Sequence, residues 1–357
     1  MSKWLNVLLI FIPVAVYLEL THGNETFLFI SAALAILPLA GIMGQATEQL
    51  ALKLGSTIGG LLNATFGNAT ELIIAFFALS AGKFEVVKAS IIGSILGNLL
   101  LVLGLALLLG GLKFKEQSFN VKGAGTVASL LTISVLALLI PTIFDLTARA
   151  VAPAQVAALD VNLSDATAIV LILIYLAYLL FSLRTHKEIL SSADDHEEHH
   201  GPQWSMALAI GVLVAATVAV GFMSEFLVGS LDAATASLGL SEFFVGLILI
   251  PIIGNAAEHA AAVLFAMRNR MELAMTIALG STVQVALLVA PILVLAGLII
   301  GKPLDLVITP LELAAVAGAV LIANSIVRDG ETNWLEGFML LSVYAILGFA
   351  VFYFPAA

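Results

Sequence analysis

Two short stretches set an amide and an acid inside apolar sequence: Gly67-Asn68-Ala69-Thr70-Glu71 and Gly254-Asn255-Ala256-Ala257-Glu258. Asn68 and Glu71 are three residues apart, as are Asn255 and Glu258, so on a helix each pair shares a face. Further along, Ser94 and Asn98 would share a helix face, and so would Ser281 and Gln284. Two carboxylates with amide and hydroxyl oxygens make a hard-oxygen ligand set, which suits Ca2+ better than a soft metal. No lysine or arginine stands in the surrounding apolar runs to pair with Glu71 or Glu258. A carboxylate at mid-membrane costs a few kcal/mol on insertion scales, so each must hold a cation or a proton. A site that alternates between the two exchanges them, because cation and protons compete for the same oxygens. The plainer alternative is a protonated Glu hydrogen-bonded to a neighbouring helix. A duplicated Asn-x-x-Glu frame argues against that alternative at both positions.

The elements that must position these residues are apolar and long. Of 357 residues 61% are hydrophobic and 11% charged, with a mean hydropathy of +1.12, against roughly 25% charged in a soluble domain. Apolar stretches of about 20 residues recur along the chain, the mark of transmembrane helices. The expectation is an all-α membrane protein with about eleven spans: 5-20, 27-44, 57-81, 87-111, 124-143, 166-184, 205-225, 243-267, 273-300, 306-326 and 335-354. The first reads as a span, not a removed signal peptide, since no small-residue cleavage site follows it. The absence of cysteine excludes disulfides and thiolate chemistry, and a net charge of -10 speaks against nucleic acid as a partner. The expected surroundings are lipid, with a homo-oligomer left open.

Basic residues set the expected orientation. One side carries Lys3, Lys53, Lys113, Lys115, Lys122, Arg184, Lys187, Arg268, Arg270 and Arg328, and the other Lys83, Lys88, Arg149 and Lys302. That bias puts the N-terminus and the linker in the cytoplasm and the C-terminus outside. Short termini without a targeting extension imply the plasma (cell) membrane.

A shift of 187 residues superposes the chain partly on itself. Gly67-Asn68 falls on Gly254-Asn255, Glu71 on Glu258, Glu85 on Glu272, Gly93-Ser94 on Gly280-Ser281, and Leu100-Leu101-Val102 on Leu287-Leu288-Val289. Matches at Gly, Asn, Glu and Ser are not what low-complexity apolar sequence produces. Equivalent positions lie five spans apart, an odd number, so the copies cross the membrane in opposite senses, a recurrent transporter design. The expected organisation is an extra helix in 1-25, a five-helix half in 26-184, an acidic and His-rich linker in 185-203, and a second five-helix half in 204-357. The glycines beside the carboxylates would allow close approach or breakage of helices, and Pro251 would kink its span.

At this point the residues resemble the calcium/proton exchanger (CAX) family, within the cation/calcium exchanger superfamily. The stretches that carry the likeness are GGLLNATFGNATE ending at Glu71, GSILGNLLLVLG starting at Gly93, PIIGNAAEH starting at Pro251, and DGETNWLEG starting at Asp329. The resemblance implies a sodium/calcium-exchanger-like fold whose repeats line a central site. It implies antiport of Ca2+ against H+, with Glu71 and Glu258 carrying cation and protons in turn and no cofactor. It also suggests Asn68, Asn255, Ser94, Asn98, Ser281 and Gln284 as ligands or gate residues. Gly97 departs from the family, which often has serine there, and Gln284 is its repeat partner, while Asn98 falls on Val285. The two half-sites are therefore chemically unequal. Na+/Ca2+ exchange is the rival within transporters, and a passive cation channel the rival outside them. No nucleophile, base and orienting group recur within the spans, which argues against an enzyme.

Weaker candidates remain. Glu312 is placed inside the tenth span, with either a proton path or a packing hydrogen bond as its role. Glu48 and Glu225 lie near span ends after Thr47 and Ser224, as solvated ends or access routes. His259 adjoins Glu258 but points about 100° around the helix, favouring packing over tuning of the acid. In the linker, Asp194, Asp195, Glu197 and Glu198 with His196, His199 and His200 read as a solvated segment, or as a low-affinity cation sensor or weak zinc or nickel ligand.

Overall fold

The computed structural model describes residues 5–186 and 204–355; most of the acidic linker lies outside the described residues. The chain is almost wholly helical: α1 (Phe11–Leu20), α2 (Glu25–Phe66), α3 (Ala69–Ser80), α4 (Phe84–Lys113), α5 (Val121–Ala148), α6 (Val156–Thr185), α7 (Met206–Gly229), α8 (Leu231–Leu238), α9 (Glu242–Ala266), α10 (Met271–Ile299), α11 (Pro310–Ile326) and α12 (Trp334–Phe352). Two strands, β1 (Gln117–Ser118) and β2 (Glu331–Thr332), pair antiparallel and tie the two halves together. Among the described residues, eight helices are long and apolar enough to cross a membrane, and shorter apolar helices cover Asn6–Leu20, Ala69–Ser80 and Pro310–Ile326.

Helix starts are written in the sequence. Asn24, Asn120 and Ser205 cap α2, α5 and α7 with side-chain oxygens that accept backbone N–H groups. Thr309 with Glu312, and Asn333 with Glu336, form reciprocal capping boxes at α11 and α12. Large apolar side chains such as Ile133, Leu136, Leu173, Leu176 and Val214 stay exposed on α5, α6 and α7. That outer surface suits lipid, while α4 is the most enclosed span.

Three boundaries differ from expectation. The second span does not stop near residue 44: helix continues until Gly55, whose φ of 82° and ψ of 167° break it, and resumes over residues 56–66. The third span is in turn split, because Gly67 and Asn68 form a turn before α3. The tenth span does not begin at 306. Residues 302–309 run extended as a strap, and Pro310 opens the helix at its first turn, where its missing N–H leaves no helical bond unmade.

The repeat is visible in backbone irregularities. α4 carries a π-helical segment at Gly97–Val102 and α10 one at Val285–Val289, in register under the 187 shift. α9 carries another at Val245–Leu249, just before Ile250 and Pro251. Widened turns of this kind inside long helices leave backbone groups partly released, and they concentrate at functional positions.

Candidate ion-binding site

The motif copies meet each other, and they do so crosswise. Ser281 Oγ donates to Asn68 Oδ1 at 3.0 Å, and Asn255 Nδ2 donates to Ser94 Oγ at 3.3 Å. Position 68 shifts onto 255 and 94 onto 281, so each repeat's asparagine binds the other repeat's serine. The glycines repeat the exchange. A methyl built on Gly254 would stand 2.9 Å from Glu71 Cγ, and one built on Gly67 would stand 3.0 Å from Glu258 Oε1. Each carboxylate thus lies over the motif glycine of the other copy, a seat that any larger residue would occupy.

Charge has not been matched by base. Both carboxylate oxygens of Glu71 are buried without a hydrogen-bond partner, and so are Glu258 Oε2 and Asn255 Oδ1. The two carboxylates are close enough to feel each other's charge. An unpaired buried carboxylate pair is too costly to persist as two anions. Four orphan oxygens with no nitrogen base among them suit a hard cation or protons. No group of three or more His, Cys, Asp or Glu that could hold a metal occurs among the described residues. Amide, hydroxyl or water oxygens would have to complete the coordination of a divalent ion here.

The half-sites differ where the sequence does. Asn68 Nδ2 donates to Gln284 Oε1 at 2.6 Å, so both ends of the Asn68 amide are satisfied. The counterpart of Gln284 is Gly97, where a methyl would meet nothing within 4 Å. Asn255 therefore turns its Nδ2 to Pro251 O at 3.0 Å as well as to Ser94, and its oxygen stays open. Asn98 Nδ2 donates to Ser281 Oγ at 3.1 Å, a bond with no mirror image because its counterpart is Val285.

One premise of the sequence argument holds in only one copy. Asn255 and Glu258 share continuous helix in α9, but Asn68, at φ −102° and ψ 21°, is the cap of α3 and not inside it. Its approach to the site comes from the turn at Gly67, not from helical spacing.

The weaker candidates disperse. Glu312 is not an intramembrane acid of a span interior. It is the third residue of α11, and its Oε2 accepts from Thr309 N and Thr309 Oγ at 2.8 Å each. Glu48 and Glu225 are exposed, while the preceding Thr47 and Ser224 are buried, Ser224 Oγ without a partner. His259 is half-buried and its Nε2 makes no hydrogen bond. The two glycine seats were not among the sequence candidates as partners of the carboxylates, although their conserved place in both copies of the repeat was the signal that could have found them.

The family described as "Sodium/calcium exchanger protein" matches residues 24–184 and 208–353. The Ca(2+)/H(+) antiporter of Aphanothece halophytica is 48% identical, over 98% of this chain and 96% of that protein. The vacuolar calcium ion transporter of Schizosaccharomyces pombe is 40% identical, over 99% of this chain and 86% of that one. Among solved structures, the selenium-substituted Ca2+/H+ antiporter YfkE superposes with a TM-score of 0.84 at 40% identity, covering 98% of this chain and 99% of that one.

Proposed function

The chain belongs to the sodium/calcium exchanger family and is a multi-pass integral membrane protein, and we propose that it is a secondary antiporter exporting cytosolic Ca2+ in exchange for H+. Support for the exchanged pair comes from relatives that carry it in their names and match nearly the whole chain. Support for the site comes from one observation above the rest: the two motif copies interlock crosswise around carboxylate oxygens that have no partner.

On this reading Glu71 and Glu258 bind one Ca2+ as two anions, or one proton each as neutral acids. Either occupancy removes the charge of the pair, so the protein crosses between its two states loaded with one or the other. The empty, doubly charged site is the costly species, and its avoidance couples the two fluxes. Electroneutral exchange of one Ca2+ for two protons follows. Asn68, Asn255, Ser94 and Ser281 hold the frame and offer amide and hydroxyl oxygens, and Gln284 makes one half-site tighter than the other. The reaction is transport and involves no covalent step.

Orientation is part of the proposal: N-terminus cytoplasmic and C-terminus outside, from the basic-residue bias. The bounding membrane is proposed to be that of the cell, although a vacuolar relative shows that the same family serves an internal compartment.

The test is Ca2+ flux in sealed vesicles with a pH gradient imposed and then collapsed. Uptake should follow the gradient, stop when it is collapsed, and neither generate nor follow a membrane potential. Uptake driven equally well by a sodium gradient, or flux indifferent to pH, would overturn the assignment. Retained uptake in Glu71→Gln or Glu258→Gln would overturn the site.

A further inference from the structure

Away from the transport carboxylates, two more acids are buried against each other. Asp145 lies near the end of α5 and Asp160 near the start of α6. Each is 4% exposed, and the two carboxyls lie within reach of each other's charge. Two carboxylates have no hydrogen to share, so a bond between this pair requires a proton on one of them. Its location follows from the neighbours. Arg149 Nε donates to both oxygens of Asp145, at 2.7 and 2.8 Å, which fixes Asp145 as the anion and leaves the proton on Asp160. The other oxygen of Asp160, Oδ1, is buried with no partner.

The charges that face the pair come from two further directions. Lys88 of α4 acts on Asp145, and Asp305 of the strap acts on Asp160 and Arg149. Lys88 itself is divided between Glu85 at 2.9 Å and Asp305 at 3.4 Å. A second negative charge on Asp160 would therefore face Asp145 and Asp305, while Arg149, the cation that also acts on it, is already held by both oxygens of Asp145.

The same two helices hold the strap by hydroxyls one turn away from the pair. Ser164 Oγ, four residues after Asp160, accepts from Leu306 N at 2.9 Å, and Thr142 Oγ1, three residues before Asp145, accepts from Ile308 N at 3.0 Å. Leu304, Leu306 and Ile308 are buried beneath. The 187 shift relates this strap to residues 115–122, which contain β1, and carries Asp145 onto Thr332 of β2. On one face of the protein a backbone ladder joins the equivalent linkers. On the other, hydroxyls and a shared proton do so.

We propose that Asp145 and Asp160 form a proton-binding site separate from the transport carboxylates, and that the bound proton keeps α5 and α6 closed on the strap. Loss of the proton sets two carboxylates against each other across that interface, and the amides of Leu306 and Ile308 open to solvent. Because the strap leads into α11 and its Asp305 is tied to Lys88 of α4, the site gives the Arg149 face of the protein a means to respond to its own pH.

Hydrogen exchange of the purified full chain in detergent, corrected for the intrinsic pH dependence of exchange, tests this without measuring transport, so failure leaves the proposed antiport standing. In the wild type, corrected exchange at Leu306 and Ile308 should rise about tenfold from mildly acidic to mildly alkaline pH, the equivalent of losing one charge-assisted hydrogen bond. Asp160→Asn keeps a donor toward Asp145 at every pH and should flatten the profile at its protected level. If that variant does not fold, Asp160→Ser takes its place, again with a flat profile expected. A flat wild-type profile, or a slope that survives in the variant measured, overturns the proposal.

Discussion

Replacing Glu71 by glutamine keeps the shape of the side chain over Gly254 and removes both of its exchangeable states, the ligand charge and the acidic proton. Glu71→Gln and Glu258→Gln should therefore each lose essentially all Ca2+ uptake while the thermal midpoint stays level or rises, since a buried orphan charge has been removed. A fluorescence melt beside the flux assay separates loss of site from loss of fold. The shared oxygens also fix the sign of the pH dependence. Lowering pH on the side from which Ca2+ binds protonates the carboxylates and raises the apparent KM for Ca2+. The increase approaches about tenfold per pH unit for one competing proton and about a hundredfold for two. Initial rates against Ca2+ at two pH values on that side give the number of protons directly. The types and pairing of these residues were legible in the sequence, because the repeat marked them twice. Their crosswise bonding was not, since a shift of 187 says which positions are equivalent and nothing about which repeat's serine meets which asparagine. Asn68 meets the other copy through a turn at Gly67 that helical spacing cannot foresee, since that spacing holds only for Asn255.

Helices carry the consequences of single methyl groups unequally. At Gly93 a Cβ would stand 2.1 Å from Leu247 O and 2.6 Å from Pro251 Cγ, so α4 and α9 touch backbone to backbone there. At Gly97, one turn on, the same group meets nothing within 4 Å. Gly93→Ala should destabilise by about 1–3 kcal/mol or prevent folding, and Gly97→Ser should be close to neutral in a detergent melt. A smaller effect belongs to Lys83, which ion-pairs with Asp232 at the start of α8 and with Glu242 at 2.9 Å. The Lys83 hydrogen bond holds the Asp232 carboxyl below the usual carboxylate range. Its stabilisation is present above the ordinary carboxylate pKa and is lost as pH falls through the lowered one. Lys83→Met should lessen the acid-side loss of stability, slightly, because Asp232 is largely exposed. Of this scale, the sequence showed the approximate place of the apolar helices through hydropathy. It missed the strap because Leu304, Leu306 and Ile308 are as apolar as any span, and only Pro310 with the Thr309 cap marks where helix begins. It missed the continuation of α2 to Gly55 because residues 45–54 are polar enough to read as a loop.

At the scale of the whole molecule the inverted repeats should be interchangeable, and the structure catches them unequal. Gly93 is clasped against Leu247 and Pro251, and Gly246 against Val86 and Ala89. Their counterparts make no such contact: a Cβ on Gly280 meets nothing within 4 Å, and one on Gly59 meets only Ala51 of its own bent helix. Residue 60 is the counterpart of 247, so the clasp that is shut between α4 and α9 is open between α10 and residues 56–66. The break at Gly55 belongs to the same difference, because its counterpart Glu242 starts a helix that runs on without a break. Glu258 is half-buried beside this opening and Glu71 is buried. An alternating exchanger reaches its other state by trading the two clasps, with Gly280 then pressed against residues 56–66 as Gly93 is pressed against Leu247 here. A methyl at Gly280 has room in the present state and none in the other. Gly280→Ala should thus leave the stability within about 0.5 kcal/mol of wild type and still slow Ca2+/H+ exchange severely, with Ca2+ binding at equilibrium preserved. Wild-type turnover in that variant would mean that the second state does not mirror the first.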